Sequence, residues 1–258
     1  MKCIHCGNET AAADKFCVKC GNPLAHDEVA TAIQNEGPLH NSFEEVNTGK
    51  SFSDTIKNIA VSYGNFILEN LKTPTKRANS TEKTDFVYGY INIGLLSLFL
   101  SLGMYFQLKN FTDEFGFFSP EISFFKSFFT VFFIGIIALI LSAAVMYGIV
   151  KGLYKAILSF HDVVGRFGSL ISVSTVLSFV FLLFSLIGMV AISSFVSTLI
   201  ISLAQVAIII TLYSMRKQAT AQFDPIYGII GFYVVFSILI ALTSDTISQY
   251  FVGGFLGL

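Results

Sequence analysis

The chain has 258 residues, of which 53% are hydrophobic and only 13% are charged, and its formal net charge is −1. Soluble globular proteins carry about twice that share of charged residues, so most of this chain is unsuited to water. A net charge near zero gives no basis for a nucleic-acid partner, and none is expected. The first 85 residues hold 20 of the 33 charges, which predicts a soluble N-terminal head followed by a membrane-embedded body.

All four cysteines lie within the first twenty residues, where they form two CxxC pairs. Two tight turns that each supply a pair of thiolates suit the tetrahedral coordination of Zn²⁺. The segment has too few apolar residues for a core, so the metal would supply most of its folding free energy. Residues 1–24 are therefore predicted to be a zinc ribbon whose ligands are Cys3, Cys6, Cys17 and Cys20.

This head resembles the short double-CxxCG zinc-ribbon family, which occurs at the N-termini of many bacterial proteins, among them multispan membrane proteins of unknown function. Besides the cysteines, the matching residues are Gly7, Phe16, Gly21 and Leu24. In that family a proline often follows the first cysteine of each pair, whereas Ile4 and Val18 stand there in this chain. The resemblance implies zinc binding and no particular partner.

Two segments connect the head to the apolar part of the chain. Residues 25–50 are predicted to be a flexible acidic linker, because five carboxylates oppose one lysine and no apolar period is present. Residues 51–84 are predicted to be an amphipathic juxtamembrane helix, ending before Pro74, and a basic stretch. Its apolar residues recur at helical spacing, at Ile56, Ile59, Ala60, Tyr63, Phe66 and Ile67. The helix is expected either on the anionic cytoplasmic leaflet or against the membrane domain's own loops.

Residues 85–250 are predicted to form a bundle of five transmembrane helices, with 251–258 as a C-terminal tail. A span needs about 20 residues, and the chain has four uncharged intervals of at least that length. The interval of 49 residues from Arg166 to Arg216 fits two helices that turn near Gly188–Ser194. The predicted spans are about 86–108, 127–150, 167–188, 195–215 and 226–246. The expected fold class is an all-α polytopic membrane bundle with an N-terminal zinc ribbon.

The placement of lysine and arginine predicts the orientation. With a cytoplasmic N-terminus, the outer segments hold only Lys109 and Lys126. The inner segments hold nine such residues, which are Lys72, Lys76, Arg77, Lys83, Lys151, Lys155, Arg166, Arg216 and Lys217. We therefore expect a protein of the cytoplasmic membrane with its N-terminus inside and its C-terminus outside. This orientation also keeps the cysteines in a reducing compartment.

The predicted spans contain amides and small residues but no charge at their middles. For Asn92 and Gln205, an interhelical hydrogen bond is favoured over a substrate contact. Ala144, Gly148 and Gly152 place a small residue at every fourth position, which predicts a packing seam within the bundle or between the protomers of a homo-oligomer. On this basis Gly148→Leu is expected to weaken folding or a complex more than Asn92→Leu does.

The order of an amphipathic segment and five spans resembles the Yip-type five-span family over about two-thirds of the chain. The inner sequence Phe160-His-Asp162-Val-Val-Gly-Arg166-Phe adds to this resemblance. In that family the domain acts in membrane trafficking or organisation and is not known as an enzyme. For the adjacent His161 and Asp162, a helix-capping role is favoured over chemistry.

No set of residues in the sequence combines a nucleophile with a base, so no catalytic or cofactor-binding residue is predicted apart from the zinc ligands. The leading interpretation is a non-enzymatic membrane adaptor, scaffold or trafficking-like organiser, whose ribbon or helices bind a protein partner. The alternative is a small transporter or channel for a neutral or apolar solute, regulated by the ribbon. Ion-coupled transport is disfavoured because it usually needs an ionisable group within a span.

Overall fold

The computed structural model describes residues 52–79, 85–115, 123–217 and 223–255, which contain eight α-helices and no strand. The helices are α1 (Phe52–Lys72), α2 (Pro74–Asn79), α3 (Asp85–Phe115), α4 (Phe124–Gly152), α5 (Phe160–Leu170), α6 (Ser172–Leu186), α7 (Val190–Arg216) and α8 (Pro225–Phe255). The predicted zinc ribbon and acidic linker lie outside the described residues, and so do the residues after Phe255.

Four of the described helices are long and apolar enough to cross a membrane, namely α3, α4, α7 and α8. A fifth span is added if α5 and α6, which are bent by 50° relative to each other, count as one. At 1.5 Å per residue α6 alone extends about 22 Å, less than the roughly 30 Å of hydrocarbon, whereas the two helices of the bent pair have a summed length of about 39 Å. The protein is therefore an α-helical membrane protein with four to five spans, whose outward apolar side chains contact lipid.

The bent pair α5–α6 lies beside α3 along its length. Near the start of α3, Gly89 touches Gly168 of α5. Near its end, Asn110 Nδ2 donates a hydrogen bond of 2.6 Å to the carbonyl oxygen of Ser185 in α6. Helix α5 therefore crosses the start of α3, and α6 runs in the same direction as α3 from Asn92 to Asn110.

The third apolar segment becomes helical seven residues before the predicted start of its span. The side chain of Ser159 accepts from the backbone N–H of Asp162, and the carboxylate of Asp162 accepts from the backbone N–H of Ser159. This capping box starts α5 at Phe160, inside a stretch that the charge pattern had assigned to a loop. Arg166 is consequently a helix residue with 4% of its surface exposed, so eight rather than nine basic residues count toward the inner side.

The bend between α5 and α6 occurs at Ile171, and no proline lies near it. Just before it, the carbonyl oxygen of Gly168 accepts hydrogen bonds from Asn92 Nδ2 at 2.8 Å and from Ser172 Oγ at 3.4 Å. Side chains that insert into the backbone ladder of a helix are a known cause of kinks. We attribute the bend to these two side chains.

The turn between α6 and α7 lies at residues 187–189. Gly188 has φ +80°, a left-handed conformation that glycine adopts without steric strain. The backbone N–H groups of Gly188 and Met189 donate to the carbonyl oxygens of Ser185 and Phe184, which closes the end of α6. The chain then reverses into α7 at Val190, within the uncharged interval that the sequence divides into two helices.

Candidate functional site: a polar junction of α1, α3 and α5–α6

One face of α1 packs against the membrane body. Phe66 is 2% exposed, and its ring centroid lies 4.8 Å from that of Tyr88 in α3. Asn70, one turn further, is fully buried and donates from Nδ2 to Ser172 Oγ at 3.0 Å. The partners Tyr88 and Ser172 belong to the helices α3 and α6 and not to loops. This face of α1 therefore packs on the membrane body itself.

A second strip of α1 faces outward. It consists of Val61, Leu68 and Leu71, of which Val61 is 64% exposed. The exposed Lys57 and Lys72 lie on the same side of the helix. An outward apolar strip with flanking lysines suits the headgroup region of a bilayer. The two placements expected for this helix are therefore compatible, since one face packs on protein while another is free for lipid.

Asn92 in α3 is the centre of the contacts with α1. It is fully buried, its Nδ2 donates to the Gly168 carbonyl at 2.8 Å and to Ser172 Oγ at 2.9 Å, and its Oδ1 accepts from the hydroxyl of Tyr63. Burial raises the pKa of Tyr63 to about 12, so the phenol keeps its proton and remains a donor at neutral pH. We call Tyr63, Asn70, Asn92, Gly168 and Ser172 the polar junction.

The polar junction depends on a close crossing of α3 and α5 at Gly89 and Gly168. A Cβ atom built on Gly168 would overlap the Cα atom of Gly89. A Cβ atom on Gly89 would lie 2.5 Å from the carbonyl oxygen of Val164. Small residues let helix backbones approach closely in lipid, and here the approach brings Asn92 within reach of the Gly168 carbonyl.

The polar junction joins α1, α3, α5 and α6 through hydrogen bonds. Its side chains are amides and hydroxyls, and none of them pairs a nucleophile with a base. In the neighbouring helices, hydroxyls bond to carbonyls of their own helix, as Thr175 does to Ile171 and Thr211 to Ala207. The site is therefore built to fix α1 and α5–α6 onto α3.

The two amides act as the sequence indicates. Asn92 bonds to other helices, and Gln205 Oε1 in α7 accepts from the Tyr233 hydroxyl of α8 at 2.9 Å. The other expectations concern the pair His161 and Asp162. Asp162 caps α5, while His161 Nδ1 lies 3.2 Å from the hydroxyl of Tyr90 in α3. Asp162 thus stabilises the start of α5, and His161 connects α5 to α3.

The predicted seam of small residues does not pack inside the chain. Ala144, Gly148 and Gly152 are exposed, and Cβ atoms built on the two glycines would meet nothing within 4 Å. The expectation of a seam within the bundle is wrong, and a seam between protomers stays a prediction. For the stability of the single chain, we now expect Asn92→Leu to be more destabilising than Gly148→Leu. Asn92 makes buried hydrogen bonds, whereas Gly148 faces open space.

The predicted zinc ligands Cys3, Cys6, Cys17 and Cys20 fall outside the described residues. Within the part of the chain that the structure describes, no group of three or more His, Cys, Asp or Glu residues could hold a metal ion. The sequence interpretation also missed Asn70, Gly89 and Gly168 as partners of Asn92. A usable signal was present for Asn70, since it follows Tyr63 by seven residues and so lies on the same helical face.

The fold and the polar junction define a helical membrane protein in which an amphipathic helix is part of the membrane domain. The family model described as a domain of unknown function (DUF6574) matches residues 53–255, and the chain belongs to this family. The match runs from α1 to α8. The chain is also similar to the "Uncharacterized protein YebC" of Bacillus subtilis (strain 168), with 26% identity over 192 residues, which cover 73% of this chain and 71% of that protein. No solved structure matches the chain.

Proposed function

We propose that the chain is a non-enzymatic adaptor or scaffold of the cytoplasmic membrane. The observation that carries this proposal is the attachment of α1, which follows the predicted head and linker directly in sequence. Phe66 packs on α3, and Asn70 and Tyr63 bond to buried side chains of the membrane body. A soluble head joined to such a helix is tethered to the membrane by more than a flexible chain. Membrane organisation, the role known in the Yip-type family, is compatible with this arrangement.

In this proposal the head is a zinc ribbon, with Cys3, Cys6, Cys17 and Cys20 holding one Zn²⁺. The support is the spacing of the two CxxC pairs and their predicted reducing compartment. The ribbon binds a protein partner on the cytoplasmic side. The exposed seam of Ala144, Gly148 and Gly152 provides a surface on which a second copy of the chain can pack closely in lipid.

The proposal includes five spans, with the N-terminus inside and the C-terminus outside. Its support is the course of α5–α6, which begins beside the start of α3 and ends beside the end of α3. If α3 crosses the membrane, a bent pair that follows it from end to end crosses as well. Eight basic residues on one side against two on the other support the orientation.

A reporter that is active only outside the cytoplasm tests this topology. Fused after Leu258 it is expected to be active, and fused after Lys217 it is expected to be silent, because α8 carries the chain outward. If α5–α6 were a re-entrant hairpin, α7 and α8 would each run the opposite way. The reporter would then be active after Lys217 and silent after Leu258, which would refute the five-span topology.

Affinity capture from mild detergent tests the adaptor role. The full chain is compared with Cys17→Ser, which removes one predicted ligand, and with Ala11→Ser, which adds the same side chain at a neighbouring non-ligand position. We expect about one zinc per chain in the wild type and in Ala11→Ser, and close to none in Cys17→Ser. Proteins that copurify with the first two variants should be lost from the third, since an unfolded ribbon has no binding surface.

A transporter for a neutral solute is the second candidate, and the bend at Ile171 beside Asn92 favours it. Broken helices with exposed backbone groups form binding sites in many transporters. In reconstituted vesicles an adaptor leaves the rate of glycerol-driven swelling at that of protein-free vesicles. Faster swelling, together with identical captures from Cys17→Ser and wild type, would contradict the adaptor and favour the transporter.

A further inference from the structure

Gln205 is an amide that faces outward from the middle of α7. Helix α7 is long and apolar enough to cross a membrane, and Gln205 stands eleven residues before its end at Arg216. At 1.5 Å per residue this is about 16 Å, which is half of the roughly 30 Å of hydrocarbon. The side chain is exposed on the surface of the bundle. The amide therefore lies in lipid, close to the midplane of the bilayer.

Only one of the two polar groups of this amide has a partner. Its Oε1 accepts from the Tyr233 hydroxyl of α8 at 2.9 Å, and within the helices that the structure describes its Nε2 donates to no acceptor. Turning the amide over would only exchange the group that is left without a partner. Acyl chains form no hydrogen bonds, so an unsatisfied amide is strongly unfavourable at this depth. The missing partner has to be another polar group embedded in the membrane.

The surface of α7 beside Gln205 is made of small polar residues. Ser194, Thr198 and Ser202 precede it at intervals of three or four residues, so they lie on the same side of the helix, and all three are exposed. The hydroxyls of Thr198 and Ser202 donate to carbonyl oxygens of their own helix, at 3.0 and 2.9 Å. We call these three residues and Gln205 the polar strip of α7. Small residues of this kind let a second helix approach closely in lipid.

We propose that a second copy of the chain packs on the polar strip of α7, with the two Gln205 amides bonded to each other across a twofold axis. Copies inserted in the same orientation hold this amide at the same depth, and an axis along the membrane normal brings the two amides face to face. An amide is its own complement. The Nε2 of one copy donates to the Oε1 of the other, whose second lone pair remains for the Tyr233 hydroxyl.

The chemistry of the strip selects this occupant. A soluble partner does not reach the middle of the bilayer, and a lipid tail offers no acceptor for the Nε2 group. A second copy supplies the same amide at the required depth without any further component. The contact lies on α7, so it depends neither on the adaptor role nor on the seam of small residues on α4.

Fluorescence energy transfer between donor-labelled and acceptor-labelled full chains in phospholipid vesicles tests the contact. The variants are Gln205→Leu and the matched control Tyr233→Phe. Both remove the hydrogen bond between these two residues, but only the first removes the amide from the surface. On dilution with lipid, the wild type and Tyr233→Phe are expected to dissociate at the same midpoint. Gln205→Leu should need at least about a tenfold higher protein-to-lipid ratio to associate.

Several results would overturn the contact. They are no energy transfer in the wild type, the same midpoint in Gln205→Leu and the wild type, or an equal loss in Tyr233→Phe, which would show that the amide acts only through the fold of the single chain. Association that is weakened by Gly148→Leu and not by Gln205→Leu would place the contact on α4 instead.

A crosslinking measurement decides if Gln205→Leu does not fold. A photoreactive benzophenone side chain is placed at Val206, which flanks Gln205 and is 46% exposed, in the otherwise native chain. A crosslink from this position to α7 of a second copy supports the proposal. The absence of any crosslink between copies, or a crosslink to a different helix, refutes it.

Discussion

Gly168→Ala is expected to lower the stability of this protein more than any other single methyl addition among its described helices. The new Cβ atom would overlap the Cα atom of Gly89, and neither atom belongs to a side chain that can rotate away. The helices α3 and α5 must separate to accommodate it. Overpacking of a closed core typically costs about 1–3 kcal/mol, and a clash between backbones belongs at the upper end of that range.

Thermal unfolding in mild detergent measures this effect. For a chain of this size a loss of about 3 kcal/mol corresponds to a drop in Tm of roughly 6–12 °C. The matched control is Gly94→Ala in α3, because a Cβ atom there meets nothing within 4 Å and alanine is the better helix former. Equal Tm values for the two variants would show that α3 and α5 do not cross at glycine.

The sequence predicted the helical membrane class and α1 because both depend on local patterns. Uncharged runs of 20 residues or more and apolar residues at helical spacing are read without knowledge of the tertiary structure. The early start of α5 was missed because Arg166 was treated as a loop charge, although the Ser159–Asp162 capping box lies in the same stretch. Counting charges places every arginine in a solvent-exposed segment. This interpretation fails where an arginine is buried by packing.

The polar junction could not be predicted because its partners are far apart in sequence. Asn92 bonds to Tyr63 across 29 residues and to Ser172 across 80. Sequence position indicates that such an amide bonds to a neighbouring helix, and it does not say to which. The expectation that Gly148 packs within the bundle failed for a related reason, since a small-residue pattern shows that close approach is feasible and leaves the partner helix unspecified. The pair Gly89 and Gly168 performs that role inside the chain.

Asn92→Leu is expected to loosen the attachment of α1 and to destabilise the chain by about 2–4 kcal/mol. Leucine has the same number of side-chain heavy atoms with the same branching, so the change keeps the shape of the side chain and removes its hydrogen bonds. Interhelical hydrogen bonds in lipid average about 0.6 kcal/mol each and reach about 1.7. The loss is larger here because the buried Tyr63 hydroxyl and part of Ser172 are left without their partner, and an unsatisfied buried group costs about 1–3 kcal/mol.

Hydrogen exchange of the backbone amides distinguishes this effect from a general loss of stability. In Asn92→Leu, exchange is expected to accelerate in α1 between Ile59 and Asn70 more than in α4, because α1 is held to the body through the polar junction. Gln205→Leu is the matched control, since it removes a single exposed hydrogen bond, to Tyr233. It should lower the free energy of unfolding by less than about 1 kcal/mol. If α1 exchanges equally in both variants, then Asn92 does not hold this helix, and the tether on which the adaptor role rests must lie elsewhere.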